Sequence, residues 1–128
     1  MTSLINNQLQ GNSLAHCLTI GETRHSIVEA SLADAYMSAE AAGNVEAQAW
    51  CVDGEFAGSR DFNAALQRQS DARPDPSVRA SVKSSEPVLK MFTSGTTGLP
   101  KAALMTHVRA LYYLNIFGIA AKCTDRDR

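Results

Sequence analysis

Nine consecutive residues, Thr93-Ser94-Gly95-Thr96-Thr97-Gly98-Leu99-Pro100-Lys101, hold four hydroxyl side chains, two glycines and a lysine. Each type has a use around a polyphosphate. Gly95 and Gly98 permit positive φ and let the backbone approach an anion closely. Successive N–H groups in such a turn form a concave, positively polarised nest. The hydroxyls of Thr93, Ser94, Thr96 and Thr97 donate to phosphate oxygens. Lys101 adds a full positive charge, and Pro100 restrains the backbone just ahead of it. A Walker A loop, G-x-x-x-x-G-K-[ST], does not fit: Gly98 is followed by Leu99, only two residues separate the glycines, and Lys101 is followed by Ala102. A Ser/Thr/Gly-rich surface turn between two strands is the plainer reading of the composition. A turn needs one or two such residues, however, and this run lies between two apolar segments with a lysine at its exit.

The surrounding pattern supplies elements to position the run. Val88 to Phe92 is apolar apart from Lys90 and reads as the strand leading in, and Ala102 to Met105 reads as a short strand leading out. Thr106 to Lys122 then reads as a helix with few polar positions and therefore as largely buried. Upstream, Leu4 to Leu18 reads as a helix broken near Gly11-Asn12, with Ser13 as the cap of its second half and Gly21 as its stop. His25 to Ala30 and Val45 to Val52 read as strands, and Leu32 to Ala42 and Asp61 to Gln69 as helices. Ser70 to Pro87, with three prolines, reads as a linker-like loop. Alternating strands and helices imply an α/β fold with a mainly parallel sheet. The expected organisation is an α/β part over 1–69, the loop over 70–87, and strand, phosphate loop, strand and helix over 88–128.

Bulk properties narrow the function classes. The chain has 128 residues, 45% hydrophobic and 20% charged, with a net charge of −1. A single domain of this length buries roughly two-thirds of its unfolded surface. The charge balance argues against an electrostatic nucleic-acid binder. Cys17, Cys51 and Cys123 are widely spaced and form no CxxC or Cys/His cluster, so they read as reduced thiols of a cytoplasmic protein rather than zinc ligands. Met1 to Gln8 lacks the pattern of a signal peptide. The longest apolar stretch, Leu111 to Ala121, falls well short of the ~20 residues that span a bilayer.

Thr93 to Lys101, continued by Ala102-Ala103-Leu104-Met105-Thr106-His107, resembles the AMP-binding signature of the adenylate-forming superfamily of acyl-CoA synthetases, luciferases and peptide-synthetase adenylation domains. Leu4 to Gly11 and Leu14 to Leu18 resemble a segment of the fatty-acid-transport-protein and very-long-chain acyl-CoA synthetase branch. The resemblance implies a fatty acid–CoA ligase in which a carboxylate attacks the α-phosphorus of ATP, pyrophosphate leaves, and coenzyme A displaces AMP. Thr93, Ser94, Gly95, Thr96, Thr97, Gly98 and Lys101 would hold the β- and γ-phosphates, with Mg²⁺ sharing their charge. A fatty acid would be the further substrate, and peripheral membrane association of the parent enzyme is compatible with this assignment.

The same resemblance implies that other parts of the site lie elsewhere. In this family the adenine and ribose contacts, an acidic metal ligand, the hinge and the lysine of the mobile C-terminal domain lie downstream of the loop. The Leu4 segment normally sits well inside the first domain. The chain thus reads as a fragment of the N-terminal domain. By itself it is expected to form no acyl-CoA, and a non-catalytic nucleotide-binding module or a non-functional truncated product are the alternatives. Lys90 stands at a position that is usually apolar. His107 reads as a helix-start residue, His16 beside Cys17 as packing, Asp53-Gly54-Glu55 as a solvated turn, and Trp50 as core.

Overall fold

The computed structural model describes residues 1–93 and 98–122. Among these residues, six strands and four helices follow one another as β1 (Thr2–Leu4), α1 (Gly11–Ile20), β2 (His25–Glu29), α2 (Ala33–Ala42), β3 (Gln48–Val52), β4 (Arg60–Asp61), α3 (Phe62–Gln67), β5 (Pro87–Thr93), β6 (Lys101–Thr106) and α4 (His107–Ala120). Short 3₁₀ turns occupy Ala30–Leu32 and Pro76–Arg79. The α/β class is borne out. The strands form two three-stranded sheets, ordered β1-β5-β6 and β2-β3-β4. Pairings β1·β5, β2·β3 and β3·β4 are parallel, and among the described residues only the β5·β6 hairpin is antiparallel.

The main core lies where α1 and α2 cover the inner face of β2 and β3. Strand parity decides who faces it. Ser26, Val28, Ala49 and Cys51 point inward, while His25, Ile27, Gln48 and Trp50 alternate outward. Leu14, Ala15 and Leu18 of α1 meet Tyr36 and Ala39 of α2 and Val28 and Ala49 of the sheet. Ala15 and Ala39 keep the two helices close. Tyr36 buries its ring and still donates its hydroxyl to the Ala47 carbonyl at 3.3 Å, which satisfies its polar tip. Trp50 is therefore half-buried on the outer face and not core. Its indole N–H donates to His25 Nδ1 at 3.3 Å, with the Arg60 guanidinium 5.5 Å from its ring centroid.

Two boundary differences have local causes. The helix expected from Leu4 begins only at Gly11. Asn6 folds the intervening segment into an Asx turn, taking the Gln8 N–H on its side chain at 3.0 Å and the Leu9 N–H on its carbonyl at 3.1 Å. The chain then enters α1 through Gly11 at φ +54°, and Ser38 Oγ accepts the Gly11 N–H at 2.9 Å. Ser13, expected as the cap, lies inside the helix. Within the expected loop over 70–87, Asp75 caps the 3₁₀ turn through Ser77 N–H, and Pro87 already belongs to β5.

Lys90 stands on β5 with 6% of its surface exposed. Its ammonium donates to the carbonyls of Ile20 at 3.3 Å and Gly21 at 3.1 Å. These groups end α1, where carbonyls lack intrahelical donors and the helix dipole is negative. The lysine at an otherwise apolar position is thus accommodated. Helix α4 departs from expectation. Leu111, Tyr112, Leu114, Phe117 and Ile119 are all exposed, Phe117 at 74% and Ile119 at 78%. An all-round apolar helix suits a buried setting, but no layer covers it among the described residues.

Replacing Lys90 by Met keeps the aliphatic stem and removes the donors. The variant is expected to lose about 1–3 kcal/mol in urea unfolding, the cost of leaving buried acceptors unpaired. Unchanged or increased stability would contradict the capping role.

Candidate functional site

The run singled out from the sequence is the connection of the β5–β6 hairpin. Thr93 ends β5 and Lys101 begins β6, and the two are directly opposed in the ladder. Opposed residues of an antiparallel pair share a face, so Thr93 and Lys101 stand on the same side of the sheet. Lys90 and Phe92 alternate to the other side, where Lys90 reaches α1. Thr93 Oγ1 donates to the Lys101 carbonyl at 3.4 Å, closing the base of the loop. Gly98 has φ +92°, a conformation that strains residues with a side chain, and no other described residue beyond its chain neighbours comes within 4 Å of where its Cβ would stand. Lys101 is exposed and Pro100 half-buried. Ser94, Gly95, Thr96 and Thr97 lie outside the described residues. Of the expected set, the structure brings Thr93 and Lys101 together.

Helix α4 follows β6 at the end of the hairpin away from the loop, where Thr106 pairs with Pro87. Thr106 caps it, accepting the Arg109 N–H at 3.4 Å. The carbonyls of Glu86 and Ser84 accept the His107 and Val108 N–H groups at 3.0 and 2.9 Å. These bonds satisfy donors that a helix start leaves free. His107 thus has the helix-start place expected of it.

Sequence reasoning missed one long-range contact at the loop. His16 was read as packing. Its ring is half-buried, and Nε2 lies 3.1 Å from the carbonyl oxygen of Pro100, 84 residues away. Nothing in the spacing around His16 signals this partner.

Other candidates gather no chemistry. Asp53, at φ +56°, exchanges hydrogen bonds with the Asn63 side-chain amide: its Oδ1 accepts at 2.9 Å and its N–H donates at 3.2 Å. It is a turn residue, as expected, and Glu55 is exposed beside it. An open cleft of about 900 Å³ runs along Thr2 to Asn7, Leu9, Leu14, Ser26 and Tyr36, and none of Thr93, Gly98 or Lys101 lines it. Among the described residues no group of three or more His, Cys, Asp or Glu side chains could hold a metal ion. No helix among them is long and apolar enough to cross a membrane.

Cys17 and Cys51 are free and fully buried. Burial pushes the Cys17 thiol above its ordinary range. Burial does the same for Cys51, reinforced by the carboxylates of Asp61, Asp53 and Glu55. Cys123 lies outside the described residues.

The model of the AMP-binding enzyme family matches residues 1–128. Among curated proteins, the chain is 30% identical over 120 residues to the Mycobacterium tuberculosis medium/long-chain-fatty-acid–CoA ligase FadD6, covering 92% of this chain and 18% of that protein. It is 46% identical over 65 residues to mouse long-chain fatty acid transport protein 5, covering 48% of this chain and 9% of that protein. It is 40% identical over 60 residues to the acyl-CoA synthetase FUM10 of Gibberella moniliformis, covering 44% and 11%. The chain therefore spans less than a fifth of the length of these relatives.

The raised thiols predict slow chemistry, because the thiolate is the nucleophile and little of it exists at pH 8. In a Cys123→Ser background, Cys17 and Cys51 are expected to resist an aromatic disulfide reagent until denaturant is added. Rapid stoichiometric labelling of the native chain would contradict their burial.

Proposed function

The chain belongs to the AMP-binding enzyme family, and we propose that it contributes the polyphosphate-binding loop of an ATP-dependent long- or very-long-chain fatty acid–CoA ligase. The observation that carries the reading is the loop itself. A hydroxyl- and glycine-rich connection, with Gly98 at positive φ, is closed at its base by Thr93 and Lys101 on one face of an antiparallel hairpin. Thr93, Ser94, Gly95, Thr96, Thr97, Gly98 and Lys101 would surround the β- and γ-phosphates. The fatty acid substrate is supported by the names of the relatives.

Physically the task of these residues is positioning and charge neutralisation rather than proton transfer. In this reading the fatty carboxylate oxygen forms a bond to the α-phosphorus of ATP, and the bond to the bridging oxygen breaks. The electron pair leaves with pyrophosphate, whose developing charge Lys101 and the loop N–H groups oppose. Coenzyme A thiol then displaces AMP to give the thioester. A divalent cation accompanying ATP would neutralise part of the same charge. The exposed Lys101 ammonium keeps its hydration until the polyphosphate arrives and acts as a point charge. We assign β5, the phosphate loop, β6 and α4, with β1 alongside β5, to the unit that presents the phosphate site, and the rest of 1–69 to the α/β part behind it, joined by 70–86. A cytoplasmic enzyme working at a membrane surface fits a fatty acid substrate.

ATP titration of the purified chain tests the reading. Lys101→Ala is expected to weaken binding by about 10- to 100-fold, the range for one charge-assisted hydrogen bond. Equal affinity of the two proteins, or no binding by a folded wild-type chain, would remove the assignment.

A further inference from the structure

We propose that His16 is a positioning residue for the phosphate loop, gripping the carbonyl immediately before Lys101. The proposal rests on reading Thr93–Lys101 as the polyphosphate site. A carbonyl oxygen only accepts, so the 3.1 Å contact assigns the proton of the ring to Nε2, with Nε2–H donating to Pro100 O.

What the contact fixes follows from backbone geometry. The pyrrolidine ring already holds φ of Pro100 near one value. The peptide group after Pro100 is planar. Holding its oxygen therefore sets ψ of Pro100 and the plane from which Lys101 departs. Proline and histidine together remove both soft dihedrals just ahead of the lysine. An exposed lysine gains little from being charged unless its Cα is placed, and this pair adds to the β5–β6 ladder in placing it.

Helix α1 is suited to the task because it is held at two levels. His16 and Ile20 lie one turn apart on the same stripe. Ile20 and Gly21 accept from Lys90 on the strand entering the loop, while His16 donates to the residue at the loop's exit. The opposite side of α1, through Leu14, Ala15 and Leu18, is packed into the core. One buried helix thus contacts both limbs of the hairpin through side-chain-to-carbonyl bonds spanning 69 to 84 residues of sequence. A histidine serving packing alone has no need of an acceptor in the loop.

The test combines amide hydrogen exchange at Lys101 and Ala102, ATP titration and thermal unfolding of wild type, His16→Ala and His16→Gln. Glutamine is chosen because its side-chain amide still donates. The expected result is faster exchange at Lys101 and Ala102 in His16→Ala and ATP binding weakened about three- to tenfold. Exchange within α2 should stay unchanged, and His16→Gln should recover at least half of the lost affinity. Unchanged exchange at Lys101 overturns the contact. Weakened binding accompanied by faster exchange throughout α1 and α2 overturns positioning in favour of simple structural support. A chain that binds ATP with an affinity indifferent to His16→Ala loses the positioning role alone. A wild type that shows the protection but takes no ATP removes the phosphate reading, and the positioning role with it.

Discussion

A buried ammonium must find acceptors, and Lys90 finds them at the end of α1. Taking a cation out of water is costly unless hydrogen bonds replace its hydration. The last carbonyls of a helix are suited to this because they lack intrahelical donors and carry the negative end of the dipole. The pairing joins two parts of the molecule that belong to different sheets. The helix belongs to the core over β2 and β3, while Lys90 belongs to the hairpin that carries the loop. The lysine turns its back on the site face. Strand alternation puts Thr93 and Lys101 on one side and Lys90 on the other, so the anchor and the residues proposed to bind phosphate use opposite faces of the same strand pair.

The elements were legible where local chemistry decides them. The strand–loop–strand–helix order around Thr93–Lys101 followed from two apolar runs flanking a glycine-rich segment, and the hairpin, its lysine and the helix beyond it are in place. Asp53-Gly54 was readable as a turn because Asp tolerates positive φ and Gly follows it. Trp50 was misread because hydrophobic size says nothing about strand parity: its neighbours Ala49 and Cys51 take the inner face. The start of α1 was misread because Asn6 and Gly11 divert the backbone through one side-chain bond and one positive φ. Burial of α4 was inferred from composition, which reports what a helix would prefer to be packed against and not what packs against it among the described residues. The partners of Lys90 and His16 are 69 to 84 residues distant, and periodicity carries no information at that range.

Family membership and physical reading converge on the loop, and they draw on different observations. Membership rests on a match through 1–128. The physical reading rests on residue types and on the way the hairpin closes beneath them. The chain spans 18% of the mycobacterial relative, and the phosphate grip proposed for it is the part of the chemistry that its own residue types support. The apolar side chains of α4, which follows β6, are exposed among the described residues.

The central claim is that the loop recognises the polyphosphate and not the nucleoside. Competition against a fluorescent ATP analogue bound to the purified chain tests it most directly. Inorganic pyrophosphate should displace the analogue at least as well as AMP, and adenosine should fail to displace it at matched concentrations. Displacement by adenosine or AMP with indifference to pyrophosphate would contradict the account.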